Sequence, residues 1–251
     1  MAGYISHTTH HWVWVPYLMA LGGKVFKDSP DNLRPTLDPD VVGEAMQFYG
    51  DLLRKHSPSG VLSFQDAQAM QVQLNGRANF RTQSVAWLTP LATDPKSTVR
   101  KTVRYGLMPA GPAGRFPGVN SHGWGIPVGA KQKETAWEFI KWVGSKETIR
   151  KMIERGYTSV GRRSIMRSEL FKQKHILNGR DVGAMIEQTL KIAAAGYMKY
   201  RNVAVWPEVG EAINKAVQRV ASGQQTGRQA VAQAQQEILS DFRKAGVRVD
   251  A

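Results

Sequence analysis

The residues of this chain best suited to chemistry are its seven tryptophans: Trp12, Trp14, Trp87, Trp124, Trp137, Trp142 and Trp206. Trp12 and Trp14 precede Pro16, Trp87 is close to Pro90, Trp124 stands between Gly123 and Gly125, and Trp206 is followed by Pro207. An indole at such a loop edge offers a flat apolar face and one N–H donor. That combination suits the C–H face of a sugar ring, whose hydroxyls then meet polar neighbours. Taken singly, each would more simply cap a small cluster; taken together, these five point to stacking on a ligand. Trp137 and Trp142 fall inside a helical repeat of apolar residues, where packing is their expected role.

Groups that could make or break bonds do not assemble in the same way. The chain has no cysteine, which excludes disulfides, thiolate metal sites and cysteine nucleophiles. It has no G-x-S-x-G elbow and no phosphate-binding Gly loop; Gly123-Trp-Gly125 lacks the third glycine and a helix to open. The acidic pairs Asp38/Asp40 and Glu208/Glu211 sit at expected helix starts, where the helix dipole already accounts for them. His7, His10 and His11 form H-x-x-H-H, and on a helix His7 and His11 would share a face that could bind a metal. No acidic ligand follows within reach, so an exposed or ligand-facing polar edge is the favoured reading. No enzyme activity, cofactor or metal is expected.

The formal charge is +14, from 34 Lys and Arg against 20 Asp and Glu. A polyanion partner would explain this, but the basic residues are spread from Lys24 to Arg248. The densest stretch, 150–174, is interrupted by Glu154 and Glu169. Nucleic-acid binding is therefore the alternative from another class, not the expectation. No run approaches the ~20 apolar residues of a membrane span. Residues 12–21 are broken by Pro16 and lack the flanks of a signal peptide.

Periodicity supplies the elements that would position these groups. An aromatic helix ends at Gly22-Gly23, and residues 28–39, with Pro30, Pro35 and Pro39, read as a loop. Asp38-Pro39 opens a helix carrying Val41, Ala45, Phe48, Tyr49, Leu52 and Leu53. A second helix covers 64–74, with Asn75-Gly76 as its turn, and a short one covers 85–92. Strands are expected at 78–82, 103–108 and 123–128, around the Pro- and Gly-rich 109–114. Helices follow at 132–143, 147–153 and 181–194, with a crossover at 157–164 and an extended stretch at 197–206. Pro207 opens another helix, and Thr226-x-x-Gln229 is a capping box opening the last. These strands are too few to complete a sheet.

The order of these segments resembles the family 1 extracellular solute-binding proteins, carbohydrate-binding components of ABC importers related to maltose-binding protein. The likeness is carried by Pro16-Tyr-Leu-Met-Ala-Leu-Gly-Gly23, Ser57-Pro-Ser-Gly-Val61, Leu74-Asn-Gly-Arg-Ala78 leading to Trp87, Tyr105-Gly-Leu-Met-Pro109, Gly123-Trp-Gly-Ile-Pro127 with Lys133 to Trp142 behind it, and Trp206-Pro-Glu-Val209. It implies an α/β chain with the two-lobed, type II periplasmic-binding-protein fold. A sugar or polyol would bind in an interlobe cleft and be handed to importer membrane subunits from the periplasm. Family members begin with an export signal and a first set of βα units, so most of the N-terminal lobe is expected to be missing here. By the same resemblance residues 1–104 are the first part of the C-terminal lobe, 105–156 return to the N-terminal lobe, and 157–251 complete the C-terminal lobe.

Site residues carry over onto matching positions. Trp87 corresponds to a sugar-stacking aromatic. His10, Trp12 and Trp14 fall near a cleft-lining cluster. Gly123 and Trp124, with Ser121 and His122 beside them, correspond to a cleft edge, and Tyr200 and Arg201 lie on the last crossing. Gly210 and Glu211 stand where maltose-binding members place a stacking aromatic, which argues against a maltodextrin. An anionic, phosphorylated solute is the alternative on the same scaffold, suggested by Arg162, Arg163 and Arg201.

Overall fold

The computed structural model describes every residue except Met1, His7, Pro39, Asn120, Ser121, Ser159, Asp250 and Ala251. In chain order its elements are β1 (Ala2–Tyr4), α1 (His10–Ala20), β2 (Phe26–Asp28), β3 (Asn32–Pro35), α2 (Asp40–His56), α3 (Asp66–Leu74), β4 (Ala78–Phe80), α4 (Leu88–Thr93), α5 (Lys133–Val143), α6 (Lys146–Glu154), α7 (Arg163–Met166), α8 (Glu169–Lys174), β5 (Ile176–Leu177), β6 (Arg180–Asp181), α9 (Val182–Ala193), α10 (Trp206–Ala221) and α11 (Gly227–Lys244). Short 3-10 turns cover Val61–Ser63, Val85–Trp87 and Tyr197–Arg201. The chain divides into two compact units. Unit 1 holds residues 1–83, 107–118 and 189–251; unit 2 holds 84–106 and 119–188.

Unit 1 is built on α2, α10 and α11. Each presents apolar residues at helical spacing: Met46 and Leu53, Ile213 and Val217, Val231 and Ile238, all buried. The helices approach closely where side chains vanish. A Cβ on Gly227 would strike the carbonyl of Gly43 and come 2.6 Å from the amide nitrogen of Gln47. A Cβ on Gly50 would collide with Val220. The entry of α11 follows its sequence signal: Thr226 accepts from the Gln229 amide at 3.3 Å, and the Gln229 side chain accepts from the Thr226 amide at 2.9 Å. The start of α2 at Asp40 lies one residue past Pro39, which is outside the described residues.

Unit 2 gathers Ile153, Phe171, Leu177, Val182 and Ile186 into a smaller core of its own. Ser145 and Ser168 cap α6 and α8, accepting from the amides of Thr148 and Phe171. The helices α7 and α8 and the β5–β6 hairpin follow the expected crossover and have too few residues each to show a period.

The described residues form three two-stranded sheets and no larger one. β1 and β4 pair in parallel, Ala2 opposite Ala78 and Tyr4 opposite Phe80. The strands expected at 103–108 and 123–128 are not strands. Residues 103–105 are held by side chains in place of a ladder: Tyr105 Oη donates to the Leu88 carbonyl at 2.8 Å and Asn178 Nδ2 to the Val103 carbonyl at 3.0 Å. Gly123 and Gly125 stand in open space, and Pro127 brings no amide for pairing. The expected extended stretch 197–206 is also corrected. Gly196 turns the chain at φ +82°, and residues 197–201 wind into a 3-10 turn.

Candidate functional site

The period of α1 decides which of its aromatic residues can meet a ligand. His10 and Trp14 are four residues apart and share one face; Trp12 lies about 200° round the helix from Trp14. Trp14 and His10 are fully buried, whereas Trp12 is 40% exposed. His10 Nδ1 lies 3.4 Å from Tyr49 Oη, which also bonds Ser6 Oγ at 2.8 Å. Burial holds the Tyr49 phenol well above its ordinary pKa. The ligand-lining roles expected of His10 and Trp14 are therefore corrected to core roles. Pro16 adds a local feature: with no N–H at position 16, the Trp12 carbonyl loses its ordinary helical donor.

His11, which the sequence reading used only as part of H-x-x-H-H, is fixed against α10. Its backbone amide donates to Asn214 Oδ1 at 3.0 Å, and its Nδ1 lies 3.1 Å from the same oxygen. With that oxygen as acceptor, Nδ1 carries the proton. The ring lies edge-on to Trp12 and Trp206, at centroid distances of 6.1 and 5.7 Å. Gly210 makes the fit possible, because a Cβ there would come within 3.3 Å of the imidazole. Trp206 itself is 8% exposed, with Phe26 and Tyr200 edge-on to it. It is a wall of the core and offers no free face.

The 3-10 turn brings Arg201 onto Trp12. Its guanidinium carbon stands 4.2 Å from the Trp12 ring centroid. Anchors on either side fix that position. Tyr200 is buried at 5% exposure, so its expected ligand contact is also corrected to a packing role. Tyr197 Oη donates to the Pro117 carbonyl at 2.6 Å, and its ring meets Phe116 edge-on at 5.1 Å. Desolvation pushes the Tyr197 pKa up to about 12. The 107–118 loop is in turn tied to α1, with the Ala113 amide donating to the Ala20 carbonyl at 3.0 Å and Gly118 lying against Pro16. Trp12, Arg201, His11, Asn214 and the Gly118 backbone thus lie together in unit 1. Partial burial depresses the Arg201 pKa, and among the described residues no carboxylate pairs with it.

Unit 2 holds the other expected residues. Trp87 is half-buried where the 3-10 turn Val85–Trp87 runs into α4. Trp124 is 66% exposed and edge-on to Phe139 at 5.5 Å; Phe139 in turn meets Trp142 at 5.8 Å. His122 and Gly123 are exposed, and Ser121, like His7, lies outside the described residues. The packing role expected for Trp137 and Trp142 is corrected: both are more than half exposed, and α5 buries none of its residues. Two surface concavities of unit 1 contain no aromatic face. One lies near Gln47, Arg54 and Gln229, the other between α10 and α11 near Glu211 and Asp241. Among the described residues no three His, Asp or Glu side chains cluster as metal ligands, and no helix is long and apolar enough to cross a membrane.

Solved structures place this architecture among type II periplasmic binding proteins. An ABC transporter solute-binding protein from Agrobacterium radiobacter, in complex with ribitol, superposes with a TM-score of 0.77 at 22% identity over 96% of this chain and 60% of its own. One from Agrobacterium vitis with bound D-mannitol gives 0.77 at 18% identity, over 98% of this chain and 62% of its own. A maltose-bound protein of T. maritima gives 0.73 at 22%, over 96% and 60%. The chain thus spans about 60% of the length of these structures. Residues 1–149 match the profile of the bacterial extracellular solute-binding proteins, and the chain belongs to that family.

Proposed function

We propose that this chain is a receptor for a polyhydroxylated solute, a sugar or polyol, which it releases unaltered to the membrane subunits of an ABC importer outside the cytoplasm. The observation that carries the reading is the Trp12 platform: a partly exposed indole with a guanidinium against its ring. A sugar combines an apolar C–H face with a rim of hydroxyls. The indole receives the first and Arg201 donates to the second. Family membership supports the same reading, as do the ribitol and D-mannitol held by two proteins of this fold. By family resemblance residues 1–104 and 157–251 would form a C-terminal lobe and 105–156 a returning segment of an N-terminal lobe, although the compact units divide the chain at other points, 84–106 and 119–188 forming one of them. Solute capture belongs to the cleft between such lobes, and hinge closure is its means. Trp87, Trp124, His122, Gly123 and Ser121 are assigned as further ligand contacts.

Isothermal titration of the chain against a panel of sugars and polyols tests the proposal. Saturable binding of one solute per chain, with the solute recovered chemically unaltered, is expected. Silence across the whole panel, or turnover of a bound compound, would contradict it.

A further inference from the structure

We infer that the solute carries an anionic group, a carboxylate or a phosphate ester, and that Arg201 receives it beside the Trp12 ring. The inference rests on the receptor reading and adds the charge of the ligand. Its ground is a positive charge left unbalanced. Two of the other half-buried or buried arginines meet a carboxylate, while Arg115 does not: the Arg81 side chain, fully buried, stands 2.6 Å from Asp66, and that of Arg219, 21% exposed, stands 2.8 Å from Glu237. Arg201 is half-buried too, yet among the described residues its side chain has no ion pair and no hydrogen bond; it meets the ring of Trp12 at 4.2 Å and interacts with the Tyr200 phenol. A partly desolvated charge without a counter-charge is unfavourable, and its anchors hold it in place all the same: Tyr200 in the core, Tyr197 on the Pro117 carbonyl.

The chemistry of the group narrows what would balance it. A guanidinium keeps five N–H donors in one plane. The Trp12 ring takes up none of these donors in a conventional hydrogen bond, and among the described residues no other group accepts from them. The donor edge fits two oxygens of a carboxylate or phosphate at once. A neutral hydroxyl can accept from the same edge but leaves the charge unmatched. Either acceptor makes a charge-assisted bond, but only the anion pairs both oxygens with the fork and brings a counter-charge, so it gains more from this site than a hydroxyl does.

Glucose, glucuronate, glucose 6-phosphate and ribitol, each titrated calorimetrically into the 251-residue chain and its Arg201→Gln and Arg201→Lys variants, form the test. One of the two acids should bind roughly tenfold or more tighter than glucose. The preference should weaken with added salt and fall to about twofold or less in Arg201→Gln. Arg201→Lys, which keeps the charge and loses the planar fork, should retain only part of it. A preference for glucuronate identifies a carboxylate, and one for glucose 6-phosphate a phosphate ester. Equal affinity for glucose and both acids, binding of ribitol or glucose with no response to either acid, or a preference that survives Arg201→Gln would overturn the inference and leave the receptor reading standing. No heat from these probes or from the wider panel would overturn the receptor reading itself. Far-UV spectra of the variants confirm that the fold is retained.

Discussion

Trp12 and Trp14 differ by two positions on one helix, and the helical turn between them sends one indole outward and the other inward. Stability should follow that division. Trp14→Ala removes a fully buried ring and is expected to cost about 3–5 kcal/mol in urea denaturation. Trp142→Ala removes a ring that is 61% exposed and should change stability by no more than about 0.5 kcal/mol. The adjacency of Trp12 and Trp14 to Pro16 was legible in the sequence; which of the two faces outward required the phase of α1, set by the packing of His10 and Trp14 against Tyr49 and its neighbours. His175 supplies a second test at this scale. It is buried and stacked on Phe171 at 3.8 Å, with Nδ1 2.7 Å from the Phe171 carbonyl. Burial depresses its pKa below the ordinary value near 6.5. The unfolded chain therefore takes up the proton first on acidification. This contribution to stability is complete above about pH 6.5 and is lost as pH falls below it. The urea midpoint should drop between pH 7.5 and 5.5, and His175→Gln should flatten that drop.

The helices were the most readable elements, because amphipathic spacing and Ser or Thr caps are local signals. α10 and α11 run close to the segments their patterns marked, and the Thr226 capping box is present in full. The strands were less readable. Val103 to Met108 has strand-like composition, but a strand needs a partner, and here the bonds of that segment go to Leu88 and Asn178. The 3-10 turn Tyr197–Arg201 was missed because five residues are too few to show a period. α5 shows a further limit: its pattern is amphipathic, yet every residue is at least partly exposed, and no pattern within one helix says what will cover it. α2 and α11 cross at Gly43 and Gly227. Gly227→Ala would set a methyl against the backbone of Gly43 and Gln47, which cannot yield as a flexible side chain would. A loss of about 1–3 kcal/mol is expected in denaturation experiments. An unchanged midpoint would show that the two helices do not approach as closely as described.

At the scale of the molecule, the sequence carried the family through the order of its motifs, and the fold agrees with it. The site was legible only in part. Trp12 and Arg201, 189 positions apart in sequence, come together because α1, the 107–118 loop and the turn after Gly196 fasten to one another. No local pattern announces such a meeting, and His11 with Asn214 is a second example. The central claim, that the Trp12 face is where a solute is held, is tested most directly by titrating wild-type chain and Trp12→Ala side by side with whichever sugar, sugar acid or polyol binds. The account predicts that the variant folds normally and binds about tenfold or more weakly, the loss expected when a stacking indole is removed. Equal affinity in the two proteins would contradict it.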